Sequence, residues 1–196
     1  MNWETVKEFE NKVAEFFGAP YGIAVDSATH GMELSLRWTH ADMIYCPKRT
    51  YLSVPMLADK LNIKRQWMDW KWSEYYWLTP RVIDAAVFWK RNGYIRTTFM
   101  CLSFQFQKHL SLGRGGMILC DNDAAATILR RMVYDGRVPG IPWREQDVDM
   151  IGYHYYMTPE TAQLGLDRLQ TAVDTEPKKW KIEDWPDLTT MKVFNI

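Results

Sequence analysis

The stretch "SFQFQKHLSLGRGGMILC" (103–120) places one lysine, Lys108, between an apolar, aromatic segment and a turn that holds three glycines. The apolar residues before the lysine predict a strand over 97–104, and those after the glycines predict another over 115–120. The first of these is apolar on both faces, as in the middle of a covered sheet. A lone lysine in a loop is usually solvated and inert. Its role therefore depends on what the rest of the chain brings to it.

Working outward, the chain alternates predicted strands and helices. Further strands are predicted at 21–25, 43–46, 63–69 and 81–88. Apolar residues at spacings of three and four predict a first helix over 3–17, which ends at Gly18. The remaining helices are predicted from the 26–31 turn through Trp38, up to about Leu61, from Asp121 or Asn122 to about Tyr134, and from Thr158–Pro159 to about Val173.

This order predicts an α/β fold with a mostly parallel sheet and helices on both faces. Ligands of such sheets bind beyond the carboxyl ends of the strands. Four candidate groups lie at those ends: the 27–31 turn, Thr50 with Tyr51, Asp84, and the segment from Ser103 to Lys108. The turn at 26–31 comes before a helix, where free backbone N–H groups can hold a phosphate.

Composition narrows the class of protein. Among 196 residues, 47% are hydrophobic, and 24 Lys and Arg balance 24 Asp and Glu, so no global field favours nucleic acid or an anionic membrane. No apolar run is long enough to span a bilayer, and the N-terminus lacks a secretory apolar region. The three cysteines, Cys46, Cys101 and Cys120, fit neither a disulfide framework nor a zinc site. We expect one globular, metal-free domain in a reducing cytoplasm.

Five segments, in this order, resemble the DegT/StrS-type sugar aminotransferases, which are fold-type I pyridoxal phosphate (PLP) enzymes. They are similar to that family's opening helix and Ser-Gly-Thr turn, its Pro-x-x-Thr-aromatic loop, its Glu-Asp-Ala-Ala strand end, its Ser-Phe-x-Pro-Thr-Lys loop and its Gly-Tyr-Asn-Tyr-Arg-Met segment. The matching stretches here are "VKEFENKVAEFFGAPYGIAVDSATHGMELSL" (6–36), "YCPKRTYLS" (45–53), "VIDAA" (82–86), "SFQFQKHLSLGRGGM" (103–117) and "IGYHYYMTPETAQLGLDRL" (151–169).

The resemblance implies two catalytic residues. Lys108 would form the Schiff base with PLP and then transfer the proton between substrate and cofactor carbons; an apolar pocket would lower its pKa and help keep the amine neutral. Asp84 would pair with the pyridinium nitrogen and so keep the ring able to accept electrons. An alternative alignment matches the 81–88 strand to the preceding strand of relatives and leaves no pyridinium partner.

The resemblance also implies the rest of the cofactor site. Tyr51 would stack on the ring, although an ordinary core aromatic is an equal alternative. Ala28 and Thr29 would bind the phosphate through backbone N–H groups and a hydroxyl, with a second hydroxyl from Ser103; turn and strand-end hydrogen bonding are the alternatives. His154 would reach the phosphate of a neighbouring subunit in a homodimer, or is a plain surface histidine.

The chain also departs from the family pattern. Val87, Arg114 and Tyr156 stand where the family has Gln, Glu and Arg. The segment 69–81 is short, so a strand and a helix are expected to be missing. The C-terminal small domain is also expected to be absent, which leaves a compact PLP-binding domain (1–174) and a C-terminal arm (175–196). We expect an open site mouth, with Trp67, Trp70, Trp72 and Trp77 either covering the cofactor or filling the gap left by the missing elements.

The function implied is PLP-dependent transamination from glutamate or glutamine to a keto-sugar carried on a nucleotide. Two alternatives remain from the sequence. One is a minimal PLP enzyme that acts on small amino or keto acids. The other is a binding or interaction protein, which would hold PLP or an aminated product without turnover, or simply dimerise through its tryptophans.

Overall fold

The computed structural model describes residues 3–194. Its helices are α1 (Trp3–Phe17), α2 (Ala28–Trp38), α3 (Ser53–Leu61), α4 (Asp123–Val133) and α5 (Pro159–Asp174). Its strands are β1 (Tyr21–Val25), β2 (Met43–Pro47), β3 (Lys64–Met68), β4 (Tyr76–Trp77), β5 (Val82–Asp84), β6 (Phe99–Ser103) and β7 (Gly116–Cys120).

Local chemistry fixes the helix ends close to where the sequence predicts them. Gly18 follows α1 with a φ of +72°, a conformation that suits glycine. Asn122, rather than Asp121, caps α4 by accepting a hydrogen bond from the Ala125 N–H. Thr158 caps α5 ahead of Pro159.

The prediction of a mostly parallel sheet is wrong. The main sheet has the order β1-β7-β6-β5-β4, and only β5 and β6 pair in parallel. The glycine turn after Lys108 brings β7 back beside β6, and the short connection between β4 and β5 reverses the chain in the same way. Neither connection contains a crossover helix, so the strands that each one joins pair antiparallel. The parallel pair β2–β3 forms a separate small sheet, which meets the main one where the Tyr45 N–H donates to the Leu78 carbonyl at 2.8 Å.

The predicted strand over 81–88 is also shorter than expected. It ends at Asp84 because the Asp84 carboxylate accepts a hydrogen bond from the Ala86 N–H, 2.9 Å away, and so turns the chain. The Phe88 N–H then closes the turn on the Ala85 carbonyl. Aspartate favours such turns because its side chain can replace a backbone acceptor.

Helices cover both faces of the sheet, as predicted. On β7, Met117 and Leu119 pack with α1 and α5, while Ile118 and Cys120 pack with α2 and α4. The two apolar layers bury all of β7 and all of β6 except Ser103. The carboxyl ends of β1, β5 and β6 lie at the same edge of this sheet.

The C-terminal arm lies against the body of the protein in its described part, 175–194. Trp185, Leu188 and Phe194 are buried there, and three short 3₁₀ helices follow one another from Ile182 to Phe194. Within residues 3–194, no helix is long and apolar enough to cross a membrane.

Candidate active site

The N-terminus of α2 forms the first wall of the candidate site. Ser27 caps the helix by accepting a hydrogen bond from the His30 N–H. The Thr29 hydroxyl lies 2.7 Å from that of Ser53, which fixes its direction. Gly116 lies so close that a Cβ there would be 2.6 Å from the Ala28 nitrogen. First-turn N–H groups have no acceptor within their own helix, so this end of α2 suits an anion.

Asp84 lies at the end of β5 and is 5% exposed. The hydroxyl of Tyr76, on the neighbouring strand β4, donates a hydrogen bond to its carboxylate. The Tyr76 hydroxyl is also 2.5 Å from that of Thr50. Burial raises the pKa of Asp84, and the hydrogen bonds from Tyr76 and Ala86 and the charge of Lys108 partly oppose that rise. Among residues 3–194, no cationic side chain forms an ion pair with this buried carboxylate.

Lys108 lies on the loop between β6 and β7. The loop is closed by hydrogen bonds from the Leu112 N–H to the Phe104 carbonyl and from the Phe106 N–H to the Gly113 carbonyl. Gly113 has a φ of +80°, which explains a glycine there. Burial lowers the pKa of Lys108, the Asp84 carboxylate opposes this, and Lys178 adds to the lowering. A lysine with a lowered pKa is a better nucleophile near neutral pH.

One cavity of about 160 Å³ brings six of the seven predicted site residues together. They are Ala28, Thr29, Tyr51, Asp84, Ser103 and Lys108. Tyr51 is 56% exposed, so its ring lies at the mouth of the cavity rather than in the core.

His154 does not line this cavity. Its exposed ring lies 3.2 Å from a carboxylate oxygen of Asp135, and its backbone bridges to Tyr134. Its predicted contact with a neighbouring subunit therefore remains a prediction.

Two residues at the site, Tyr76 and Trp185, were not predicted from the sequence. Tyr76 was in a segment without clear period, and only its pairing with Asp84 reveals it. Arg114 lines the cavity and forms a 2.7 Å ion pair with Asp26. Burial alone would raise the pKa of Asp26, but its bonds with His30 and Arg114 leave it below the ordinary value.

The cavity lining is also aromatic, and it includes one of the four tryptophans that the sequence predicted either to cover the cofactor or to fill the gap. Trp185, from the arm, and Trp72 both line the cavity, with ring centroids 5.6 Å apart. The other tryptophans of the 67–77 segment lie elsewhere: Trp67 against Phe194, Trp70 near Tyr45, and Trp77 in the apolar layer of α1. The signal for Trp185 was weak, because its segment is mostly polar.

Solved structures share this architecture. AtS13 from Actinomadura melliaura superposes with a TM-score of 0.77 at 20% identity, covering 87% of this chain and 60% of that one. Sugar aminotransferase CalS13 from Micromonospora echinospora gives 0.71 at 16% identity, with 87% and 61% covered. The PLP form of Spr1654 from Streptococcus pneumoniae gives 0.71 at 17% identity, with 87% and 60% covered. The fold is thus that of the sugar aminotransferases, and the chain spans about 60% of the length of these relatives.

The family follows from the sequence itself. The model of the DegT/DnrJ/EryC1/StrS aminotransferase family matches residues 1–96 and 90–184. The chain belongs to this family. Comparison with curated protein sequences finds no match.

The residues present fit pyridoxal phosphate. The cavity offers a helix N-terminus with Thr29 for a phosphate, a buried carboxylate for a cationic ring nitrogen, and a desolvated amine for an aldehyde. Because Gly116 lies so close to Ala28, no side chain at position 116 would fit at the phosphate end of the cavity.

Proposed function

We propose that this chain forms the cofactor-binding part of a PLP-dependent aminotransferase. The observation that carries the proposal is that the amine of Lys108 and the buried carboxylate of Asp84 line one cavity beside the N-terminus of α2. Bound PLP would supply an aldehyde for the amine and a ring that accepts electrons.

Each proposed role follows from a local property. Lys108 binds the cofactor covalently and, once released, holds and moves the proton at its Nζ; its lowered pKa favours the neutral amine needed for both tasks. Asp84 holds a positive ring nitrogen, which would lower its own raised pKa and stabilise its charge. The buried Tyr76 hydroxyl orients the Asp84 carboxylate.

The phosphate end is proposed to rest on α2. Ala28 contributes its backbone N–H, and Thr29 and Ser103 contribute hydroxyls. Arg114, at the same cavity, adds positive charge close to the phosphate. Tyr51 flanks the ring from the mouth.

The proposed donor is glutamate or glutamine, and the proposed acceptor is a keto-sugar carried on a nucleotide. Membership of a family whose solved relatives include a sugar aminotransferase supports the sugar. The aromatic lining by Trp72 and Trp185 supports it further, since flat apolar faces suit the C–H face of a sugar ring.

We further propose a homodimer in which His154 completes the partner's site, and a cytoplasmic location. The exposed position of His154, away from its own cavity, leaves it available to a second subunit. Three free cysteines are compatible with a reducing compartment.

The experiment is an absorbance titration of the purified protein loaded with PLP. We expect a visible band that glutamate or glutamine bleaches and that a keto-sugar nucleotide restores. A band that no amino donor changes would contradict an aminotransferase. Restoration by small keto acids alone would contradict the sugar acceptor.

A further inference from the structure

The C-terminal arm is fastened to the body by contacts outside the cavity. Arg49 Nη1 donates to the Trp185 carbonyl at 2.8 Å, and the Leu188 N–H donates to the Lys48 carbonyl at 2.8 Å. Leu188 and Phe194 are buried behind these bonds. The arm therefore has a fixed place next to the end of β2.

This placement brings the indole rings of Trp180 and Trp185 against the amine of Lys108. Its Nζ lies 4.7 Å from the ring centroid of Trp180 and 5.6 Å from that of Trp185. The two rings stack on each other, with centroids 5.4 Å apart. An ammonium at this distance from an aromatic face is attracted to it, so the indoles both hold the amine and displace water from it.

The charged groups that face the amine come from two elements. Asp84 approaches from β5 and Lys178 from the arm, where the Lys178 Nζ lies 3.9 Å from the Trp180 ring. Arg114 lines the same cavity but is paired with Asp26, and His109 bonds to the Ala172 carbonyl. Arg114 and His109 are therefore held by other partners. The Asp84 carboxylate and the two covering indoles are the features that distinguish the surroundings of the Lys108 amine.

We propose that Trp180 and Trp185 are positioning residues, through which the arm of the same chain covers the Lys108 amine, aims it into the cavity and keeps water from it. The inference rests on the proposed function only in taking Lys108 as the cofactor-binding amine. Water exclusion matters there because it strengthens every electrostatic interaction in the site.

The test is reductive methylation of the cofactor-free full chain with formaldehyde and cyanoborohydride, with the rate at Lys108 followed by peptide mass spectrometry across pH. In the wild-type protein we expect Lys108 to react more slowly at high pH than exposed Lys64, and to have a pH midpoint below the ordinary value for a lysine. Trp180→Ala should raise both the plateau rate and the midpoint, because the water that reaches the amine stabilises its charged form more than the ring did. Trp180→Phe should restore most of the wild-type profile.

Two controls separate positioning from general damage. Trp143→Ala removes an exposed tryptophan away from the cavity and should leave the Lys108 profile unchanged. Lys178→Gln should raise the midpoint without raising the plateau, because it removes a like charge and keeps both rings, whereas Lys179→Gln should do neither. Thermal unfolding checks that each variant is folded.

A wild-type Lys108 that reacts like Lys64, or a Trp180→Ala variant with an unchanged plateau or a lowered midpoint, would overturn the proposal. The assay needs neither cofactor nor turnover. A chain that shows the expected profile but never takes up PLP would overturn the proposed function and leave this inference standing.

Discussion

Tyr76 and Asp84 are paired residues of the β4–β5 hairpin, and the Tyr76 hydroxyl donates a hydrogen bond to the buried Asp84 carboxylate. Burial raises the pKa of Asp84, and this bond is the largest of the effects that oppose the rise. The pair therefore determines how readily Asp84 stays ionised at the bottom of the cavity.

Tyr76→Phe should destabilise the cofactor-free protein by about 1–3 kcal/mol at neutral pH, because the buried Asp84 carboxyl loses a hydrogen-bond donor. Because the pKa of Asp84 is raised in the folded protein, protonation of Asp84 favours folding. That contribution to stability is fully present below the ordinary pKa of the carboxyl and is lost as pH rises through the folded pKa. The Tyr76 hydrogen bond stabilises the ionised form of Asp84, so the cost of Tyr76→Phe should shrink in acid, where Asp84 is protonated. Urea unfolding at several pH values measures it.

Tyr45→Phe is the matched control, because it removes a tyrosine hydroxyl from β2 rather than from the β4–β5 pair that holds Asp84. Equal stabilities of the Tyr76→Phe variant and wild type at neutral pH would show that the bond does not support the carboxylate.

Asp84→Asn should keep PLP binding but slow the half-reaction with glutamate or glutamine by about a hundredfold or more, because it removes an interaction that matters chiefly in the transition state. Stopped-flow absorbance measures the rate, and equilibrium dialysis measures the bound PLP. Near-normal turnover would favour the alternative alignment, in which this strand provides no partner for the ring nitrogen.

Gly116→Ala should weaken PLP binding and lower the thermal midpoint, because the new Cβ would meet the Ala28 nitrogen and the Ser27 carbonyl carbon, each at 2.6 Å. Backbone atoms cannot give way as a flexible side chain can, so β7 must move from the start of α2. Gly113→Ala is the comparison: nothing lies within 4 Å, and only the strain of its positive φ remains. Equal PLP affinity in the two variants would mean that the approach of β7 to α2 does not shape the site.

Mixing inactive Lys108→Ala and His154→Ala proteins should restore activity if His154 serves the partner's site. Random exchange makes half of the dimers mixed, with one intact site in each, so about a quarter of the wild-type sites should return. Sedimentation establishes the oligomer in parallel. An active monomer, or a fully active His154→Ala variant, would remove His154 from the site.

Local features of this fold were predictable from sequence, and pairing across the sheet was not. Periodic apolar residues and caps such as Thr158 determine where helices lie, because those interactions reach only a few residues along the chain. The direction of β7 depends on the turn around Gly113 and on partners far away in sequence. The end of β5 depends on one side-chain bond of Asp84 to the Ala86 N–H.

The candidate site likewise has residues that the local sequence predicts and residues that only long-range contacts bring in. Residues within recognisable segments, such as Asp84 and Lys108, line the cavity together. Tyr76 was missed because its role exists only through cross-strand pairing, and Trp185 because it reaches the cavity from more than 70 residues beyond Lys108. His154, although within a matched segment, lies outside the cavity.

Borohydride reduction of the PLP-loaded protein, followed by peptide mapping, tests the role of Lys108 most directly. We predict a single pyridoxyl adduct on Lys108, because it is the amine that lines the cavity with Asp84. Lys108→Arg should abolish the adduct, while Lys178→Arg should leave it in place. An adduct on another lysine, or none with PLP in excess, would contradict the assignment of Lys108 as the cofactor-binding residue.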